Sequence, residues 1–179
     1  MASLDERLLR VARTRWHPAS AERAVARFSR LGEHGGMWLA VGAMCQLADP
    51  PRRARWRAAM ASVAVAYGLN TAVKLLVRRP RPRLAGLPPL TRTPTRMSFP
   101  SAHASTSFAG ARAYSRVGLP WAPLYALALA LSASRVYLGV HYPSDAIAGA
   151  LLGTAVAHGL APAETRAGVH GSRPTRDGR

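Results

Sequence analysis

Apolar side chains recur along this chain in blocks separated by arginine-rich and proline-rich stretches, and the block lengths predict its elements. Residues 4–16 (LDERLLRVARTRW) and 21–31 (AERAVARFSRL) place apolar positions at helical spacing beside basic faces. Such helices lie on a bilayer surface or pack on the rest of a protein. Residues 37–48 (MWLAVGAMCQLA) are apolar, but shorter than the roughly 20 residues a straight span needs, unless 31–36 extend them. Residues 58–77 reach spanning length, with Asn70 and Lys74 near the end. Polar groups inside a span mark a site or a bundle interior. The run 78–102 is rich in Pro, Gly, Ser, Thr and Arg and predicts a loop. Helical pattern resumes at 103–117 with small and hydroxyl side chains suited to the centre of a tight bundle. The most apolar block follows at 119–134, and 144–161 is rich in Ala and Gly for close packing.

These blocks predict an all-α integral membrane bundle of about five spanning helices. It divides into N-terminal amphipathic interfacial helices (1–35), a transmembrane domain (36–161) and a disordered basic tail (162–179). The N-terminal stretch carries Asp5 and Glu6 and lacks a compact apolar run with a cleavage site, so no removable signal peptide is expected.

Composition changes this picture little. The net charge of +17, with Lys74 the single lysine among 25 basic residues, suits either nucleic acid or an anionic membrane surface. The arginines flank apolar blocks, aromatic residues are not interleaved with them, and no nucleic-acid module is present, so no nucleic-acid partner is expected. Mean hydropathy near zero averages over alternating apolar and basic stretches. One cysteine, Cys45, excludes an intrachain disulfide and a cysteine-rich zinc module.

Three clusters carry candidate chemistry. Lys74, Arg78 and Arg81 fall at i, i+4 and i+7, so a helix continued to Pro80 would gather cations at its end. Guanidinium groups grip two phosphate oxygens at once; on their own, such residues commonly anchor a membrane helix. Pro100-Ser101-Ala102-His103 stands where the loop becomes a helix. Ser101 is a good N-cap type, and the amides of 101–103 would favour an anion. His103 could deliver a proton to a leaving alkoxide, although plain capping beside an incidental histidine reads the same way. Ser134-Arg135 ends an apolar helix, and His141 precedes Asp145 by four residues. Asp145 can take the Nδ1 proton of His141 and leave Nε2 bare to attack phosphorus, or the two can form an ordinary structural hydrogen bond.

Taken together and in this order, the clusters resemble the three motifs of the type 2 phosphatidic acid phosphatase (PAP2) superfamily, the metal-independent lipid phosphatases related to vanadium haloperoxidases. Those motifs are Lys, six residues, Arg-Pro; Pro-Ser-Gly-His; and Ser-Arg, five residues, His, three residues, Asp. They are met here by Lys74 and Arg81-Pro82, by Pro100 to His103, and by Ser134-Arg135, His141 and Asp145. The resemblance implies a PAP2/haloperoxidase-like core, His141 as the nucleophile forming a phosphohistidine, His103 as general acid and later base, and Asp145 as orienting partner. It also implies phosphate binding by Lys74, Arg81, Ser101, Arg135 and the backbone near Ala102, with no metal and no cofactor. Ala102 stands where Gly is usual; its methyl would narrow the cradle or forbid a positive φ, and is harmless if the backbone there is simply first-turn helix. The short length, the LGEHGGMWLAVGA stretch at 31–43 and the FPSAHAS wording are similar to the small actinobacterial phosphatases acting on decaprenylphosphoryl-5-phosphoribose in arabinan precursor synthesis for the cell wall.

The expected function is therefore hydrolysis of a polyprenyl-linked phosphomonoester at a multi-pass plasma (inner) membrane, with the lipid phosphate and the bilayer as partners. A prenyl diphosphate, phosphatidate or phosphatidylglycerophosphate is the alternative substrate, and a non-catalytic lipid-binding protein the alternative class. A metal hydrolase using His103, His141 and Asp145 as ligands is a further rival. Positive charge divides nearly evenly between the two membrane faces, so the positive-inside rule leaves the side of the site open, and oligomeric state is equally open.

Overall fold

The computed structural model describes residues 3–160, and every regular element in that range is helical. The expected tail at 162–179 lies outside the described residues. Helix α1 (Leu4–Thr14) starts at a capping box in which the Ser3 hydroxyl accepts from the Glu6 amide and Glu6 reaches back to Ser3. Helix α2 (Ala19–Arg30) follows, then a single 3-10 turn (Glu33–Gly35) and α3 (Gly36–Ala48). That turn carries left-handed backbone at His34 and Gly35, so of residues 31–36 only Gly36 joins α3, and no longer span results. After a turn at Pro50–Arg52 come α4 (Arg53–Val77), α5 (Ala102–Val117), α6 (Trp121–Tyr137) and α7 (Pro143–Gly159).

The predicted inner helix is α5. It packs against α4, α6 and α7, and its small residues Ala104, Ser105, Ala109, Gly110, Ala111 and Ala113 are buried. The α5–α7 contact is backbone to backbone. A Cβ at Gly153 would come 2.0 Å from the Ser105 carbonyl oxygen, and one at Gly149 would come 2.5 Å from that of Ser101. Only glycine permits such an approach, and it is what brings the N-terminal ends of α5 and α7 together. At those ends the Ser101 amide donates to the Asp145 carbonyl at 2.9 Å. Away from the site, Trp38, Trp56, Tyr114 and Leu131 fill the core, and the Trp38 indole donates to Ser107.

Helix α4 ends at Val77, not at Pro80. Arg78 takes a left-handed cap conformation and donates Nε to the Leu75 carbonyl, so it is turned out of the cationic cluster the spacing suggested. The 28 residues Pro50–Val77 are long and apolar enough to cross a membrane, and little of their apolar window is buried within the protein. Helices α3, α5, α6 and α7, of 13 to 17 residues, are shorter than the expected spans. Large apolar side chains nevertheless face outward from α3 (Met44, Leu47), α4 (Leu69, Leu76), α6 (Leu129) and α7 (Ile147, Leu151). Helix α1 packs on α6 and α7 through fully buried Leu9 and through Arg13, which donates to the Tyr137 and Pro88 carbonyls. Its other face presents Leu4, Leu8 and Val11 to the outside.

Candidate active site

Each side chain at the head of the bundle is placed by the end of a helix. Pro143 opens α7 with its fixed φ. Asp145, two residues on, reaches back so that Oδ2 accepts from the Tyr142 amide at 2.9 Å. This capping bond aims the carboxylate at His141, whose Nδ1 stands 3.4 Å from the same Oδ2. The separation is wide for a hydrogen bond, and Nδ1 has no aligned partner within the protein. On the other side of the ring, Arg81 Nη1 lies 3.2 Å from His141 Nε2. A guanidinium can only donate, so Nε2 carries a lone pair and the proton sits on Nδ1, facing Asp145. Burial lowers the pKa of His141 to about 4, with the Asp145 contact opposing and the Arg81 and Arg135 charges reinforcing the shift. The imidazole is neutral at physiological pH, with the nitrogen away from Asp145 available as a base or nucleophile.

The cations arrive from three elements. Lys74, on the last turn of α4, is buried and donates to the Met97 carbonyl at 3.3 Å. One turn earlier Asn70 is fully buried, and its amide bonds to the Pro100 carbonyl and to Ser105, tying α4 to the start of α5. Arg81 is fixed by the Thr95 carbonyl at 2.8 Å and the Val140 carbonyl at 2.7 Å. Burial lowers its pKa to about 10, which leaves it cationic. Arg135, buried near the end of α6, donates Nη1 to the Ser29 hydroxyl at 2.7 Å, while its Nε is buried without a protein partner.

The start of α5 supplies the rest. Ser101 occupies the N-cap position, but its buried hydroxyl caps nothing and has no protein hydrogen bond. Its amide is taken by the Asp145 carbonyl, so the expected anion cradle of 101–103 is reduced to the amides of Ala102 and His103. Ala102 is the first helical residue and does not have a positive φ, so the methyl in place of the usual glycine introduces no backbone strain. His103 Nε2 stands 2.9 Å from the Ser29 carbonyl and therefore carries a proton.

One cavity of about 250 Å³ is lined by Lys74, Arg81, Ala102, His103, Arg135 and His141. Ser101 and Asp145 are fully buried and are not part of that lining. Three cations around two imidazoles can hold a dianionic phosphoryl group, and a histidine nitrogen with a free lone pair can act as a nucleophile. Among the described residues, no group of three or more His, Cys, Asp and Glu side chains is arranged to hold a metal ion.

Several residues of this site were not read as such from the sequence. Arg79 donates Nη1 to Asp145 Oδ1 at 2.8 Å and to the Ser144 hydroxyl at 2.7 Å, and Nη2 to Asp5 Oδ2 at 2.9 Å. Its guanidinium stacks 4.1 Å over the Tyr142 ring. Asp5, from α1, also accepts from the Ser144 amide at 3.0 Å and from the Ser144 hydroxyl. Burial alone would raise the Asp5 pKa, but the Ser144 and Arg79 bonds outweigh it and keep the carboxyl below its usual range. Ser29, at the end of α2, holds both His103 and Arg135, and Glu33 and His34 line the cavity. The N-terminal segment is thus part of the wall of the site.

The model of the PAP2 superfamily matches residues 55–167. A Mycobacterium tuberculosis protein named decaprenylphosphoryl-5-phosphoribose phosphatase is 42% identical over 129 residues, which is 72% of this chain and 72% of the relative. The crystal structure of Aquifex aeolicus LpxE is similar with a TM-score of 0.76 at 24% identity, covering 89% of this chain and 95% of that one. A Bacillus subtilis protein described as the first transmembrane PAP2 type phosphatidylglycerolphosphate phosphatase gives a TM-score of 0.71 at 23% identity, covering 87% and 82%.

Proposed function

The chain belongs to the PAP2 superfamily, and from that membership we propose that it is a membrane-embedded phosphoric monoester hydrolase that removes the terminal phosphate of a polyprenylphosphoryl-5-phosphoribose through a phosphohistidine. The observation that carries this reading is the convergence of Lys74, Arg81 and Arg135 with His103 and His141 on a single cavity. The name of the 42% identical relative supports the substrate class.

In this mechanism the phosphomonoester enters with its oxygens on Lys74, Arg81 and Arg135, and the Ser101 hydroxyl and Arg135 Nε add buried donors. His141 Nε2 attacks phosphorus while Nδ1–H turns its proton toward Asp145, which stabilises the imidazolium as it forms. The P–O bond to the sugar breaks, and the leaving oxygen takes a proton from His103, which enters this step as the imidazolium and leaves it neutral, with Nε2 turning from the Ser29 carbonyl to the leaving oxygen. His103 then accepts a proton from water as that water attacks the phosphohistidine. The P–N bond breaks, inorganic phosphate leaves, and His141 returns to its neutral form. Binding energy and charge complementarity are supplied by fixed side chains at every step. The outward apolar faces of α3, α4, α6 and α7 support a location in the plasma membrane, where a lipid can enter sideways from the bilayer. The exposed Leu4, Leu8 and Val11 of α1 suit contact with the bilayer surface.

Phosphate release by the detergent-purified protein tests this reading, using a prenylphosphoryl-5-phosphoribose, a prenyl diphosphate and phosphatidate with a chelator present. Release from the first that survives the chelator and is abolished in His141→Ala is expected. Preference for phosphatidate or the diphosphate would replace the substrate assignment, and release undiminished in His141→Ala would remove the nucleophile.

A further inference from the structure

Beside the catalytic cavity lies a larger one, of about 890 Å³, formed by the proline-rich loop between α4 and α5. Arg81, Pro94, Thr95 and Met97 line both, so the two cavities share a wall. The loop is built rather than slack. Pro80 and Met97 pair as an antiparallel bridge, the Arg81 amide donates to the Arg96 carbonyl at 3.2 Å, and the Ser98 amide donates to that of Arg79 at 2.8 Å. Further along, the Leu90 amide donates to the Leu138 carbonyl at 2.9 Å, and Arg13 clamps the Pro88 carbonyl at 2.7 Å.

Three further arginines, Arg78, Arg83 and Arg96, line this larger cavity, and among the described residues no acidic one does. Among the described residues, the side chains of Arg83 and Arg96 have neither a hydrogen bond nor an ion pair, so they can take an anion without giving up a partner. Next to Arg78, the last turn of α4 exposes Leu75, Leu76 and Val77, with Leu76 at 82%. A cationic cavity therefore sits between the hydrolytic centre and an apolar outer surface suited to a lipid chain.

We propose that the loop cavity is a second anion subsite, which takes a phosphate the enzyme does not hydrolyse. The preferred substrate then carries two separated phosphates: a terminal phosphomonoester placed at His141, and an inner phosphodiester held against Arg78, Arg83 and Arg96, with the hydrocarbon leaving past Leu76. This deepens the reading given under the proposed function and rests on it for the identity of the hydrolysed group. It assigns the specificity to arginines that are not defining residues of the three motifs. The same guanidinium chemistry would also suit the phosphate of a bilayer lipid headgroup, and the two sources separate experimentally.

The test compares farnesylphosphoryl-5-phosphoribose with farnesyl 5-phosphoriboside, which has the same ring and tail but no inner phosphate, using full-length protein in nonionic detergent. Arg83→Gln/Arg96→Gln is expected to raise KM for the two-phosphate compound about tenfold, the scale for two exposed charge contacts, with kcat retained and both constants for the one-phosphate compound unmoved. An equal change for both compounds, or none for either, overturns the subsite. So does a double variant that alters only the response to added phosphatidylglycerol, which would make the cavity a headgroup site. A parallel titration of the His141→Ala protein with ribose 1,5-bisphosphate and ribose 5-phosphate needs no turnover. Preference for the bisphosphate that disappears with Arg83 and Arg96 supports the subsite, and absence of that preference overturns it. Failure of the wild-type protein to release phosphate from any lipid would remove the hydrolytic reading, and this titration would still decide the subsite.

Discussion

Arg79 is predicted to act on catalysis without touching the substrate. It is absent from the lining of the catalytic cavity, yet it supplies the donor to Asp145 Oδ1, and Asp145 is fully buried. Arg79→Gln removes that donor and leaves the Tyr142 amide holding only Oδ2. A hydrogen bond to a charged group contributes about 1.5–3 kcal/mol. The Arg79 side chain is 29% exposed, so water partly replaces it and the lower end of that range applies. A loss of about 1.5–2 kcal/mol in transition-state stabilisation corresponds to roughly 10- to 30-fold in kcat. Steady-state phosphate release should show that drop with KM unchanged. Arg79→Lys should recover part of it, since it restores charge without the two-pronged geometry that reaches Asp145 and Asp5 together. Combined with Asp145→Asn, Arg79→Gln should add little, because both act on one carboxylate. Activity of Arg79→Gln within twofold of wild type, or a loss confined to KM, would refute the positioning role.

Gly32→Ala should cost activity more than stability. Its Cβ would lie 2.7 Å from His103 Cδ2, so the imidazole must turn, and kcat is expected to fall about tenfold or more with a melting temperature near that of wild type. Gly153→Ala should do the reverse damage: a Cβ at 2.0 Å from the Ser105 carbonyl oxygen must push α5 and α7 apart, at a cost of about 3 kcal/mol, visible as a large fall in melting temperature in detergent. Stability should also depend on pH through His141. Its folded pKa of about 4 lies below the usual value of 6.5, so between the two the unfolded chain binds more protons and stability falls as pH is lowered from about 6.5 toward 4. The full effect is on the order of 3 kcal/mol, and His141→Asn should lose less melting temperature than wild type over that range.

What the sequence made legible follows from what is local. The inner position of α5 was readable because a helix of hydroxyl and small side chains suits a helix-surrounded place better than a lipid-facing one. The three clusters were readable because each sits at a helix end, where a handful of consecutive residues fixes the geometry. Two local expectations changed. Helical spacing places Arg78 on the cationic face, but α4 stops one residue earlier in a left-handed cap. The Ser101 amide was assigned to an anion, but α7 packs so closely on α5 that the Asp145 carbonyl takes it. The contributions of Asp5 and Ser29 were not readable at all. Asp5 meets Ser144 across 139 positions, and no periodicity or motif couples residues so far apart. The amphipathic pattern of α1 and α2 described their faces correctly as apolar and basic, but gave no sign that a serine on one and an aspartate on the other complete a site at the far end of the chain.

That Asp5 latch bears on how the enzyme comes into being. Asp5 is synthesised well before its partners Arg79 and Ser144. The latch between the first and seventh helices closes only once the seventh has been made, so the guanidinium of Arg79 that holds Asp145 is itself gripped from its far side only in the finished bundle.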